Sequence, residues 1–315
     1  MRPSARPCGS VRENDPVTLP RGSQTPPDDS PLPARPRLIA TDLDGTLLHD
    51  GKYVSERTVK ALAAAEEAGI EVFFVTGRPA RWMDVVSDHV HGHGMAICAN
   101  GAAVVDLHAG GKLLRSRPLD RTVALDVVRA LRDAAPGTTF AVETTTGIHY
   151  EPRYPRFADD PAVSLGTAEH LLSESGPAQA PPASALADTV PVLKLLAHHT
   201  DLTPDGFLAL ARTAAGDRAN ITRSSPSALL EISGPGVSKA STLALCCAER
   251  GISSDEVVAF GDMPNDLEML TWAGSSYAMG NAHPDVLAAA SGRTVTNNED
   301  GVAVIIEEIL ARRQP

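Results

Sequence analysis

The sequence predicts an α/β protein in which a doubly wound parallel sheet is interrupted by a separate α+β module. Two observations predict this. Short runs that are apolar throughout, such as Leu38-Ile39-Ala40 and Val257-Val258-Ala259-Phe260, alternate with segments of helical periodicity. Strands apolar on both faces belong to parallel sheets covered by helices. Between about Leu119 and Ser225 the alternation gives way to mixed helical and strand patterns. The chain therefore divides into a tail over 1–36, a first core part over 37–118, an inserted module over 119–225 and a second core part over 226–315.

The first 36 residues are rich in Pro, Ser and Arg and lack hydrophobic periodicity. Such a composition buries too little apolar surface to offset the entropy of ordering, so a disordered tail is expected. Its basic residues precede no apolar stretch of the kind a signal peptide needs. From Arg37 the pattern changes. Leu38-Ile39-Ala40 is a strand; Val59, Leu62 and Ala63 then recur at helical spacing, and Gly69 stops that helix. Glu71–Val75 is a second strand, running into Thr76-Gly77-Arg78. Met95–Cys98 is a third, followed by a turn at Asn100-Gly101 and a strand over 102–105.

In the module, helical patterns over 123–135 and 207–215 mix with strand candidates at 138–142 and 192–197. The Pro/Ala/Ser stretch at 173–191 reads as a surface loop. Beyond the module, Ser238 can cap a helix running to Arg250, with Gly251 where a terminating glycine belongs. A strand at 257–260 runs into Gly261-Asp262, another covers 276–279, and 302–311 closes as a helix.

At 315 residues the chain suffices for one large domain or two moderate ones. Aromatics make up only 4 %, so the core is expected to be built from Ala, Val, Leu and Ile. The formal charge of −11 disfavours a nucleic-acid surface, which needs a basic field. No apolar run approaches the ~18 residues of a membrane span. A small phosphorylated ligand stays compatible with that charge, because a divalent cation and a lysine or two reverse the potential locally. The cysteines, Cys8, Cys98 and the pair Cys246-Cys247, are spaced for neither a zinc site nor a disulfide framework. Reduced thiols in a cytoplasmic protein are expected, with no obligate protein partner evident.

Ligands of open parallel sheets bind at the carboxyl ends of strands. Four such ends are unusually polar here: Asp42 with Asp44, Thr76, the helix start Ser238-Lys239, and Asp262 with Asn265 and Asp266. Singly, each has an ordinary reading as a turn, a strand exit or a solvated lysine. The set, in this order, points to one chemistry. Asp42 and Asp262 offer hard oxygens suited to Mg²⁺. A carboxylate beside Mg²⁺ can attack phosphorus and form an aspartyl phosphate, dividing one difficult transfer into two easier steps. Asp44, two residues on, can protonate the leaving oxygen and then activate water. Thr76 supplies a hydroxyl and Lys239 a point charge to the transferring phosphoryl group.

DLDGTLL, VTGR, GVSKAST and GDMPNDLEML together resemble the four motifs of the haloacid dehalogenase superfamily. AMGNAHPDV and NNEDGVAVII resemble its Cof-type, class IIB capped branch, and the likeness runs from about Arg37 to Leu310. The resemblance implies a Rossmann-like core with the inserted module as a cap that closes over the site and selects the leaving group. It implies Asp42 as nucleophile and Mg²⁺ ligand, and Asp44 as acid/base that also binds Mg²⁺ through its backbone carbonyl. It implies Thr76, Gly77 and Lys239 as phosphate holders, with Asn265 contacting the phosphate. Asp262 would ligate Mg²⁺, and Asp266 would support the ion or orient Lys239. The substrate so implied is a small phosphorylated metabolite, sugar phosphates first.

Other signals have plainer explanations. His89, His91 and His93, and likewise His198-His199, read as surface loop, since no Cys or acid cluster accompanies them at ligand spacing. Cys246-Cys247, Trp82 and Trp272 read as packing. The rival functions are a phosphotransferase or mutase using the same nucleophile and a catalytically silent binding protein on this scaffold. Intact motifs count against the silent reading. A dehalogenase has no use for acid/base help from Asp44, and no G-x-G-x-x-G follows the first strand to suggest a dinucleotide enzyme.

Overall fold

The computed structural model describes residues 36–87, 94–156, 160–173, 190–225 and 227–313. The expectations for the tail, for Cys8, for the HVHGHG histidines and for most of the 173–191 loop lie outside the described residues. Strands β1 (Leu38–Thr41), β2 (Glu71–Val75), β3 (Met95–Cys98), β4 (Ala103–Asp106) and β5 (Lys112–Ser116) come first. After them come β6 (Thr139–Thr144), β7 (Gly147–Tyr150), β8 (Ser164–Leu165), β9 (Val192–His198), β10 (Asn220–Thr222) and β11 (Leu229–Ser233). The chain then returns as β12 (Val257–Gly261), β13 (Ser275–Ala278) and β14 (Gly292–Arg293).

Two sheets result. The larger has the order β14-β13-β12-β1-β2-β3-β4-β5 and the smaller β10-β11-β9-β6-β7-β8. From β14 to β3 the larger sheet is parallel, as its all-apolar strands require. β4 and β5 pair antiparallel at one edge, because the tight turn at Asn100-Gly101 is too short for a crossover helix. The smaller sheet is mostly antiparallel. β11 belongs to it, so the smaller sheet runs past residue 225 into the stretch assigned by sequence to the second core part.

The helices start and stop where the capping residues dictate. Ser55 Oγ accepts from the Thr58 amide at 3.1 Å to open the helix Glu56–Glu67, which buries Ala61, Leu62 and Ala65. Gly69, at φ +79°, ends it as expected. Ser238 caps Lys239–Glu249: its Oγ accepts from the Ser241 amide at 3.2 Å, and Ser241 Oγ accepts from the Ser238 amide at 3.0 Å. Helix Glu56–Glu67 packs beside Gly301–Arg313, and Lys239–Glu249 beside Leu267–Trp272. The larger sheet's core is Ala, Val, Leu and Ile around a few aromatics such as Phe73 and Phe260.

Cys98, Cys246 and Cys247 are buried there as free thiols, and burial pushes Cys98 up to about 12. Trp272 packs against the same core. His198 and His199 are not surface loop. His198 ends β9, and His199 is buried, its Nδ1 accepting from the Asp201 amide at 3.1 Å and its Nε2 donating to the Pro136 carbonyl at 3.1 Å. Among the described residues no helix is long and apolar enough to cross a membrane.

Candidate active site

Parallel register brings the polar strand ends together. Thr41 pairs with Phe260 on one side and Phe74 on the other, so the residues following β1, β2 and β12 emerge at one level. The Asp42 amide still donates to the Phe260 carbonyl at 3.1 Å, and the Thr76 amide to the Ile97 carbonyl at 2.8 Å. Asp42 therefore leaves its strand beside Gly261-Asp262. Gly45, at φ +76°, lets the chain turn back: a Cβ there would stand 2.3 Å from Asp262 Oδ2, so only glycine permits this approach. Thr46 Oγ1 then donates to Asp262 Oδ1 at 2.9 Å.

Asp42, Asp262 and Asp266 form a buried cluster, with one carboxylate oxygen of each within 4.8 Å of the others. Lys239, fully buried at the helix start, donates to Asp42 Oδ1 at 2.6 Å and Asp266 Oδ1 at 2.7 Å. Asp266 Oδ2 accepts the amides of Asp262 at 3.1 Å and Met263 at 3.0 Å. Both oxygens of Asp266 are thus engaged, one with Lys239 and the other with the backbone of Asp262 and Met263. Burial drives the Asp42 carboxyl well above its usual range despite Lys239, and drives Asp262 to about 7, with Asp266 adding to both. Burial opposes the charge of Lys239, but Asp266 and Asp42 outweigh it and hold the ammonium above its usual range. Three acceptor-only carboxylates with one lysine are short of positive charge, and their oxygens are hard donors. The cluster fits a metal ion held by Asp42 and Asp262.

Asp44 stands apart from this cluster. Arg78 grips it through two bonds, Nε to Oδ2 at 2.6 Å and Nη2 to Oδ1 at 2.7 Å, and Lys52 Nζ adds a third at 2.7 Å. Burial would raise this carboxyl, but the bonds from Arg78 and Lys52 prevail and hold it at about 2. Thr76 is buried and its Oγ1 accepts the Arg78 amide at 3.1 Å, which leaves its O–H to donate.

A cavity of about 260 Å³ lies between the two sheets, bordered by Asp42, Asp44, Thr76, Gly77 and Asn265 below and by Glu143, Tyr150, Lys194 and Glu231 above. The structure thus brings all eight sequence-derived residues to one place, with Lys239, Asp262 and Asp266 beneath the cavity floor. Trp82 lines the cavity as well, so it is not merely packing. Sequence reading missed the residues that join the sheets. Arg81 Nη1 donates to Glu143 Oε1 at 2.6 Å and Arg81 also grips Asp160. Lys194 Nζ pairs with Glu231 Oε2 at 2.5 Å and reaches the Gly77 carbonyl at 2.7 Å. A signal existed: Lys194 and Glu231 each interrupt an otherwise apolar strand, and buried charges come in pairs.

Residues 39–306 match the family described as haloacid dehalogenase-like hydrolase. Pyridoxal phosphate phosphatase YbhA of Escherichia coli (strain K12) is 30 % identical over 283 residues, covering 86 % of this chain and 97 % of that relative. The 5-amino-6-(5-phospho-D-ribitylamino)uracil phosphatase YitU of Bacillus subtilis (strain 168) is 29 % identical over 283 residues, covering 88 % and 98 %. Among solved structures, a haloacid dehalogenase-like hydrolase from B. subtilis superposes with a TM-score of 0.71 at 25 % identity, covering 86 % of this chain and 99 % of that one.

Proposed function

Because the chain belongs to the family of haloacid dehalogenase-like hydrolases, we propose that it is a Mg²⁺-dependent phosphatase acting on a small phosphorylated metabolite through an aspartyl phosphate. The observation that carries this reading is the buried cluster of Asp42, Asp262 and Asp266 around Lys239, beside the cavity between the sheets. A magnesium ion held by the Asp42 and Asp262 side chains, with the Asp44 carbonyl, would supply charge neutralisation at the phosphoryl oxygens.

The chain's own residues do the rest. Asp42 attacks phosphorus while the ester oxygen departs with a proton from Asp44; water, giving a proton back to Asp44, then attacks the aspartyl phosphate and releases phosphate. As it stands, Asp44 is ionised by Arg78 and Lys52 and ready to accept that proton. To carry one to a leaving oxygen it must turn from Arg78, which raises its pKa, and first take up a proton from solvent. Thr76, the Gly77 backbone, Asn265 and Lys239 hold the phosphoryl oxygens. Glu143, Tyr150 and Trp82 face the leaving group, and sugar phosphates and similar monoesters are the substrates to try first. Buried reduced thiols accord with a cytoplasmic enzyme.

The test is phosphate release from a panel of phosphorylated metabolites by the purified full chain, with Mg²⁺ and with excess chelator. Asp42→Asn serves as the matched control and should lose turnover by orders of magnitude while keeping its fold. Full activity in chelator sinks the metal assignment; wild-type turnover in Asp42→Asn sinks the covalent route.

A further inference from the structure

We propose that Lys194 and Glu231 of the smaller sheet and Asn100 of the larger form a positioning relay, which aims the Asn265 amide at the reacting phosphoryl group only when the two sheets meet. The relay rests on the phosphatase reading above and adds to it three residues that the motifs do not include.

Glu231 is buried, and although burial opposes its charge, Lys194 holds it below its usual range, so it stays ionised. An ionised carboxylate only accepts. Its Oε2 takes Lys194 Nζ at 2.5 Å and Asn100 Nδ2 at 2.7 Å, and its Oε1 takes Ser224 Oγ. The Asn100 amide is thereby fixed with its NH₂ toward the smaller sheet. Its oxygen faces the other way and accepts Asn265 Nδ2 at 3.1 Å. Asn265 spends one N–H on Asn100, and the same nitrogen carries a second that an anion can take. Asn265 borders the cavity, whereas its Oδ1 is buried without a hydrogen-bond partner. That orphaned oxygen indicates that Asn100, and not the surroundings of Asn265, decides which way the amide points.

Local backbone geometry supports the same reading. Asn100 sits in the left-handed region at φ 55°, ψ 35°, following Ala99 at φ 51°. Asparagine tolerates this region, but two such residues in a row are strained. A Cβ on Gly77 would lie 3.2 Å from Asn100 Oδ1 and 3.4 Å from both Glu231 carboxylate oxygens, so glycine leaves room for the relay. Lys194 also holds the Gly77 carbonyl at 2.7 Å. Every one of these bonds except Lys194–Glu231, Ser224–Glu231 and Asn100–Asn265 crosses between the sheets. With the sheets apart, Asn100 loses its acceptor and can flip, and Asn265 can then present an oxygen, which repels phosphate.

Steady-state kinetics of the full chain test the relay, using p-nitrophenyl phosphate and one metabolite that the wild type hydrolyses. Glu231→Leu removes the acceptor that Lys194 and Asn100 share. Asn100→Gly keeps the left-handed backbone without strain and leaves the Lys194–Glu231 pair intact, so it reports even where Glu231→Leu fails to fold. Both should lower kcat on both esters by roughly 10- to 100-fold with KM changed less than about threefold, the mark of a lost transition-state contact. Asn100→Gly at the full wild-type rate, or a loss confined to KM and to the metabolite, overturns the relay. A wild type inactive on every ester overturns the phosphatase reading beneath it.

Discussion

Replacing Lys239 by Met probes the electrostatics of the site most directly. The ammonium is fully buried and bonds Asp42 at 2.6 Å and Asp266 at 2.7 Å, so the variant leaves three clustered carboxylates with no cation. Removing one partner of a buried pair costs about 3–5 kcal/mol, because the other charge stays buried and uncompensated. That cost should appear in metal-free protein at pH 8, measured as the difference in unfolding free energy from urea titrations with unchanged slope. The pH dependence has a definite sign. The pKa of Lys239 is raised in the folded protein, so its contribution is complete at every pH below its unfolded value of about 10.4 and does not vary between pH 5 and 8. Asp42 and Asp262 are raised too, so acid neutralises them in the folded state and relieves the repulsion left in the variant. The deficit should shrink from pH 8 to pH 5.5, and shrink at pH 8 when Mg²⁺ is added. A deficit under about 1 kcal/mol at pH 8, or one that grows in acid, refutes the reasoning.

Wild-type protein in chelator should itself gain stability as pH falls through about 7, the folded value for Asp262, toward an unfolded value near ~4, by up to about 1.4 kcal/mol per unit. Thermal midpoints across pH 8 to 5 read this, and the slope should weaken in Asp262→Asn; a flat wild-type profile contradicts it. Gly45→Ala puts a methyl 2.3 Å from Asp262 Oδ2 at φ +76°. It should raise the Mg²⁺ concentration for half activity at least about tenfold and destabilise by ~1–3 kcal/mol, against no change if Asp262 is not a ligand. Asp44→Asn should cut turnover ~10²–10⁴-fold with the fold kept, and unchanged single-turnover rates would dismiss Asp44 as acid/base.

What the sequence disclosed and what it hid follow from the range of the interactions. Local rules placed the strands at Leu38, Glu71, Met95 and Val257, the Ser238 cap and the Gly69 stop, because propensity, periodicity and capping act over a few residues. The cluster of Asp42, Asp262 and Asp266 was legible because polar residues at the ends of apolar strands share one sheet edge. The ties between the sheets were not. Arg81 meets Glu143 and Lys194 meets Gly77 only through the relative placement of two sheets with separate cores, which no local rule encodes. His199 was misread for the same reason: its partner, the Pro136 carbonyl, is distant in sequence and near in space.

On the phosphatase reading proposed above, the charges around the cavity account for both a cation beneath the site and Arg78 beside it. Below the floor, three carboxylates share one lysine, and once all three are ionised they stand two positive charges short, a deficit that one divalent ion would balance. At the wall the ratio is inverted, since Arg78 and Lys52 converge on Asp44 alone and leave one positive charge in surplus. A phosphate monoester near neutral pH carries close to two negative charges, and neither side could accept it alone: the bare cluster would repel it, and Arg78 is already spent on Asp44. On that reading, entry of the ester would be coupled to two local events, binding of the cation below and release of Arg78 by Asp44. That release would raise the Asp44 carboxyl and let it take up the proton it then gives to the leaving oxygen. The bond that holds Asp44 near 2 in this structure would then be the one the substrate has to compete for.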